Sequence, residues 1–128
     1  MQILGTGVDI VENTRIKTSL RNKLFVNRIF TPNEIALSKK VKNKINFYSK
    51  RFAAKEAFAK SIGTGFSNGL NFKDISVINN KAGKPSFVIT DKIKKIIKDN
   101  FKISSFNFFL SISDEKNYSI AYVVLQKK

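Results

Sequence analysis

The chain of 128 residues contains no cysteine and no histidine. The first absence removes a thiol nucleophile and any disulfide framework, so a reducing compartment is the natural setting. The second removes imidazole base catalysis, and together they leave no structural zinc site of the usual kind. Tryptophan is missing too, whereas phenylalanine occurs twelve times, so a phenylalanine-rich core is expected. No apolar run approaches the ~20 residues that a membrane-spanning helix needs. The opening Met1-Gln-Ile-Leu-Gly-Thr-Gly7 lacks the basic head and apolar stretch of a signal peptide. A soluble, cytoplasmic protein with no membrane partner is the expectation.

Acidic residues are also scarce, nine against 24 basic ones, for a formal net charge of +15. Such an excess points to an anionic partner: nucleic acid, a phosphate-rich cofactor, an acidic protein or a membrane surface. Compositional drift in a chain rich in Lys, Asn, Ile and Phe is the plain alternative, because scattered lysine normally makes a solvated face. Twenty of the cations are lysine and four are arginine. Where lysine is the default base, an arginine marks a place that wants a planar, bidentate fork. The four are Arg15, Arg21, Arg28 and Arg51.

The length suits one domain, 1–128, with a real core. Gln2 to Val11 reads as a strand, with Ile3, Gly5, Gly7 and Asp9 on one face and Leu4, Thr6, Val8 and Ile10 on the other. The glycines on that face let something approach the backbone closely. A helix is expected from about Asn13 to Asn22, with Glu12 at its start and a further turn around Phe25 to Ile29. Thr31-Pro-Asn-Glu34 is a helix start, with Thr as N-cap, Pro next and Glu closing a capping box. A long helix from about Ile45 to Ile62 ends at Gly63-Thr-Gly65.

Phe72 to Asn79 and Ser86 to Thr90 read as strands around a turn-rich connection. Asp91 to Asn100 is an amphipathic helix with Ile93, Ile96 and Ile97 inward. Phe106 to Ser113 alternates as a strand, and Tyr118 to Leu125 is apolar on both faces, as a central strand would be. The pattern is α+β: an antiparallel-leaning sheet with helices, the long one above all, packed on one side.

Most carboxylates sit at element ends, where caps and surface charge explain them, and Glu34 is explained by its capping box. Asp9 and Glu56 instead lie inside largely apolar elements, where an acid must be paired or hold a metal. Mg²⁺ is the natural cation for two carboxylates plus a phosphate. Separate pairing of each acid with a nearby lysine or backbone N–H is the competing explanation. Glu56 and Lys60 are i, i+4 and share a helix face, as do Arg51 and Lys55. A lysine one turn beyond a metal carboxylate can neutralise or protonate a phosphate leaving group. Gly83-Lys-Pro85 reads as a hairpin turn. Ser111 and Ser113 point the same way from one strand, toward a ligand or toward cross-strand hydrogen bonds.

Several segments together resemble one family, the holo-acyl-carrier-protein synthases. Gly5-Thr-Gly-Val-Asp-Ile10 with Arg15-Ile16 resembles their opening, and Arg28-Ile-Phe-Thr-Pro-Asn-Glu34 their next motif. Arg51 to Gly65 resembles their signature helix, and Gly83-Lys-Pro85, Leu110-Ser-Ile-Ser113 and Ala121 to Val124 match later blocks in order. The resemblance covers essentially the whole chain. It implies the 4′-phosphopantetheinyl transferase fold and the transfer of phosphopantetheine from coenzyme A to a serine of apo acyl carrier protein, for fatty acid biosynthesis.

On that resemblance, Asp9 and Glu56 would hold Mg²⁺ against the coenzyme pyrophosphate, and Lys60 would assist proton transfer at the leaving phosphate. Arg51, Lys55, Gly63, Lys84, Pro85 and Ser111 would lie along the coenzyme A path. Arg15, Arg21 and Arg28 would face the acidic carrier protein, where complementary charge steers encounter. A homotrimer is implied, with the neighbouring subunit completing each coenzyme pocket. Asp114 departs from the pattern, standing where a His often does, and leaves the adenosine-end contacts open. The rival reading is a small basic nucleic-acid-binding domain, with Phe residues for stacking. Against it, the Phe residues fall at core-like periods beside Ile and Leu, so no nucleic-acid partner is expected.

Overall fold

The computed structural model describes residues 1–67 and 69–128. Strand β1 (Gln2–Glu12) leads into three short helices, α1 (Asn13–Ser19), α2 (Lys23–Ile29) and α3 (Pro32–Ser38), and then the long α4 (Lys44–Ile62). A single 3-10 turn (Phe72–Asp74) precedes β2 (Val77–Asn79) and β3 (Pro85–Phe87). Helix α5 (Asp91–Phe101) and strands β4 (Phe106–Asp114) and β5 (Tyr118–Lys127) complete the chain. Among the described residues, β1, β5 and β4 form an antiparallel sheet in that order, and β2 and β3 form a separate antiparallel pair. The α+β expectation holds, with β5 central.

Helix α4 is the axis of the molecule. It is buried on nearly every side, through Phe47, Tyr48, Ala53, Ala54, Ala57, Phe58, Ala59 and Ile62. A helix with so many buried apolar residues belongs in a core rather than on a surface. Asn43 caps its start by accepting from the Asn46 backbone N–H, and Gly63 closes it in the left-handed conformation at φ 92°. Phe58 stacks on Phe108 at 4.4 Å and meets Phe87 edge-on at 4.8 Å, which ties α4 to both sheets. Truncating such a fully buried ring costs about 3–5 kcal/mol.

The close fit of α4 on β1 depends on Gly5 and Gly7. A Cβ on Gly5 would lie 1.9 Å from the Ser61 carbonyl oxygen, and one on Gly7 would lie 1.9 Å from that of Ala57. Only hydrogen fits in either place, so strand and helix backbones touch. Asp9, the next residue along that face of β1, is thereby brought against α4.

Several expectations need correction. A bulge between Ile3 and Gly5 reverses the faces at the start of β1, so Leu4 packs on the core and Ile3 is exposed. Helix α1 ends at Ser19 rather than about Asn22, where the Thr18 and Ser19 carbonyls accept from Arg21 and Asn22 in a turn, and the turn expected around Phe25 to Ile29 is the full helix α2. The strand expected from Phe72 to Asn79 shrinks to three residues after the 3-10 turn. Strand β5 is apolar on both sides as expected, yet only Ser119, Ala121, Val123 and Leu125 are covered. Its other face, with Ile120 and Tyr122, is exposed next to Val8, Ile10 and Phe109.

Candidate active site

A cleft of about 400 Å³ opens between β1, α1, α2 and α4. Asp9, Glu56 and Lys60 line it together with Arg15, Ile16, Phe25 and Phe52. Asp9 reaches it because Gly5 and Gly7, on its own face of β1, press that strand onto α4. Phe52, Glu56 and Lys60 reach it because they succeed one another at i, i+4 and i+8 along one helix face.

The Lys60 ammonium donates to the Val8 carbonyl at 2.8 Å and to Asp9 Oδ1 at 3.3 Å. Glu56 has no hydrogen-bond partner of its own among the described residues. Burial pushes the Asp9 carboxyl above its ordinary value, against the pull of Lys60. Burial also pushes the Glu56 carboxyl up, the nearby Asp9 charge pushes it further, and Lys60 opposes both. Two half-buried carboxyls, both raised by burial and one of them raised further by the other's charge, are short of positive charge, as a metal site is before the metal binds.

The donor set suits Mg²⁺. No group of three or more acidic, His or Cys side chains occurs among the described residues that could cage an ion. Mg²⁺ is commonly bound by one or two carboxylates and completed by substrate phosphate and water. Asp9 and Glu56 are the residues that would hold it.

The remaining candidates are spread more widely. Arg51 lies elsewhere, in a second pocket of about 280 Å³ with Lys50, Asn79, Gly83, Pro85 and Asp114. Gly83, at φ 88°, turns the β2–β3 connection, and Lys84 is exposed beside it. Gly63 and Ser111 are exposed and line neither pocket. Arg15, Arg21 and Arg28 are all exposed on α1, the following turn and α2, with the 79 % exposed Leu24 between the last two.

Lys55 departs from its expected place. Its side chain is fully buried, and its ammonium donates to Glu34 Oε1 at 2.6 Å, Ile29 O at 2.8 Å and Phe72 O at 3.2 Å. All three ammonium protons are thus used inside the protein, and Lys55 does not lie on an open coenzyme path. Glu34, correspondingly, is more than a cap. It accepts from the Thr31 and Val77 backbone N–H groups as well as from Lys55, and Arg51 Nε lies 3.9 Å from its second oxygen. Burial lowers the pKa of both Lys55 and Arg51, and the Glu34 charge opposes it.

Sequence reasoning missed Ile16, Phe25 and Phe52 as the apolar wall of the cleft. The four-residue offsets from Phe52 to Glu56 to Lys60 would have found Phe52. It also missed Asn46 and Lys50, which meet Asp114 only through the fold. Eleven of the twelve phenylalanines are buried or partly buried, and Phe109 alone is exposed. A stacking platform for bases is therefore absent among the described residues.

Comparison with known proteins agrees with this geometry. Residues 5–123 match the model of the 4′-phosphopantetheinyl transferase superfamily. The chain is 73% identical over 128 residues to the holo-[acyl-carrier-protein] synthase of Pelagibacter ubique, covering 100% of both. Its fold matches that of the Neisseria meningitidis holo-[acyl-carrier-protein] synthase with a TM-score of 0.87 and 37% identity, over 98% of this chain and 100% of that one. It also matches the Bacillus anthracis holo-(acyl-carrier-protein) synthase in complex with CoA (3′,5′-ADP), with a TM-score of 0.82, 35% identity and 100% coverage of both. From motif order through cleft geometry to these relatives, the chain belongs to the holo-[acyl-carrier-protein] synthases of the 4′-phosphopantetheinyl transferase superfamily.

Proposed function

We propose that the whole chain acts as one Mg²⁺-dependent domain that moves the 4′-phosphopantetheine arm of coenzyme A onto a serine of apo acyl carrier protein. The observation that carries this reading is the meeting of Asp9, Glu56 and Lys60 in one cleft. In the reaction the serine oxygen forms a bond to the phosphorus that bears the pantetheine. The pyrophosphate P–O bond breaks, the serine proton passes to water at the site, and adenosine 3′,5′-bisphosphate leaves. Bound Mg²⁺ would supply positive charge against the charge building on the pyrophosphate.

Lys60 serves as a donor. Its ammonium already donates to Asp9 and to the Val8 carbonyl at the cleft, where it faces the departing phosphate and neutralises the charge that builds there. Asp9 in turn holds Lys60 at the cleft. The apolar wall of Ile16, Phe25 and Phe52 excludes water from one side of the reacting centre.

Arg15, Arg21 and Arg28 form the face toward the acidic carrier protein in this reading. All three are exposed, and they lie on or beside the elements that border the cleft. The metal carboxylates and the coenzyme residue Arg51 lie in different pockets: Arg51 and Glu56 are five residues apart on α4, about 140° around its axis. A coenzyme reaching both kinds of pocket is best accommodated between copies of the chain. The open sheet face, with Val8, Ile10, Phe109, Ile120 and Tyr122, gives such copies an apolar surface to bury, in keeping with the homotrimer that the resemblance implies. A reducing cytoplasmic setting accords with the lack of cysteine. Among the described residues no helix is long and apolar enough to cross a membrane.

The test is the intact mass of apo acyl carrier protein after incubation with this protein, coenzyme A and Mg²⁺. Gain of one phosphopantetheine arm, abolished by a chelator, is expected. An unchanged mass, with wild-type protein folded and coenzyme present, would refute the assignment.

A further inference from the structure

We propose that Asp114 tunes this chain's selectivity for the 3′-phosphate of coenzyme A, by fixing a negative charge in the pocket that receives that phosphate. The inference rests on the transferase reading above. Coenzyme A carries a pyrophosphate and, separately, a 3′-phosphate on its ribose. The pyrophosphate contains the bond that breaks and so belongs at Asp9, Glu56 and Lys60. The 3′-phosphate needs another cationic site, and the second pocket has the chemistry for it.

Arg51 supplies a fixed positive charge there. It is 5% exposed, and its guanidinium sits 3.9 Å over the Phe47 ring. One terminal nitrogen donates to Asn79 Oδ1 at 2.9 Å, while Nε, without a hydrogen-bond partner among the described residues, lies 3.9 Å from Glu34 Oε2, a carboxylate already paired with Lys55. Lys50 adds a second, mobile charge, about one-third exposed. Lys50 Nζ and Asp114 Oδ1 are 4.0 Å apart, a charge contact too long for a hydrogen bond.

Asp114 is held independently of both cations. Its Oδ2 accepts from Asn46 Nδ2 at 2.8 Å. Lys50 can therefore swing onto a phosphate while the carboxylate stays in place. A phosphate bound between Lys50 and Arg51 then gains two cations and meets one anchored anion. The anion offsets part of the gain, and it does so only for a ligand that carries the 3′-phosphate. Adenosine 5′-phosphate, or coenzyme A lacking its 3′-phosphate, is spared the repulsion.

The test uses Asp114→Asn, which removes the charge and leaves an oxygen able to accept from Asn46. Binding of adenosine 3′,5′-bisphosphate and of adenosine 5′-phosphate is measured by calorimetry on the full chain at low salt. Adenosine 3′,5′-bisphosphate should bind on the order of five- to tenfold tighter to the variant, and adenosine 5′-phosphate should change much less. The ratio of kcat/KM for coenzyme A to that for 3′-dephospho-coenzyme A should rise by a similar factor, and Lys50→Met should lower it. Equal changes for both nucleotides, or weaker binding of the bisphosphate to Asp114→Asn, would overturn the proposal. If the wild-type protein binds the bisphosphate but transfers nothing to carrier protein, the transferase reading fails instead, and the binding arm still decides the role of Asp114.

Discussion

Replacing Gly7 with alanine tests how the cleft is built. The added Cβ would stand 1.9 Å from the Ala57 carbonyl oxygen and 2.9 Å from both the Ala57 carbonyl carbon and the Ser61 nitrogen. These are backbone atoms of the last two turns of α4, held in its hydrogen-bond ladder and packed on the sheet, so they cannot rotate away. To restore even a 3.0 Å contact, β1 and α4 must separate by about 1.1 Å, the difference between 3.0 and 1.9 Å. Overpacking of this kind costs about 1–3 kcal/mol, and more when backbone must move. Asp9, two residues further along the same face, moves with the strand and away from Glu56 and Lys60. A displacement near 1 Å at a reacting centre costs about 10²-fold in rate. Chemical denaturation and transfer kinetics on the same preparation separate the two effects. Thr6→Ala, on the exposed face of β1, is the control and should change stability by no more than about 0.5 kcal/mol. A folded Gly7→Ala protein with wild-type stability and transfer within about threefold of normal would refute this account of the cleft.

Other outcomes rest on the same geometry. Because folding raises the Glu56 pKa above 4.5, the ionised carboxylate costs stability at neutral pH, and that cost fades as pH falls toward 4.5. Glu56→Gln should therefore raise the metal-free urea midpoint at pH 7.5 while abolishing Mg²⁺-dependent transfer, and the stability gain should shrink as the pH is lowered; an equal gain at every pH would count against it. Lys55→Met leaves Glu34 buried without its main partner and should cost about 3–5 kcal/mol, part of which the double variant with Glu34→Gln should recover; simple additivity in the denaturation cycle would contradict the pairing. Tyr122→Glu places a charge on the open sheet face and should shift the protein toward monomer in light scattering, with loss of transfer; an unchanged assembly would show that this face is not the interface.

The parts of the fold that local chemistry specifies were legible in the sequence. Thr31 and Glu34 form the expected capping box, Gly63 ends α4 where a left-handed residue was required, and β4 and β5 follow their alternation. Asp9, Glu56 and Lys60 could be singled out because a strand face and a helix face each have a fixed period. What escaped was set by contacts distant in sequence. Lys55 was expected along the coenzyme A path, but its partners are Glu34, Ile29 and Phe72, brought together only when α2, α3 and the 3-10 turn close around the helix. The bulge at Ile3 leaves no mark in a simple alternation. Asp114 finds Asn46 and Lys50 across the sheet–helix boundary, which no local spacing encodes.

The central claim is that Asp9 and Glu56 act as one metal-binding unit in phosphopantetheine transfer. Its most direct test is the initial rate of mass-detected transfer, across a range of Mg²⁺ concentrations, for the wild type, Asp9→Asn, Glu56→Gln and the double variant. Residues that work as a unit are strongly non-additive, so each single change should abolish the Mg²⁺ response and the double variant should be hardly worse than either. A single variant that keeps a normal Mg²⁺ dependence, or losses that multiply in the double variant, would contradict the claim.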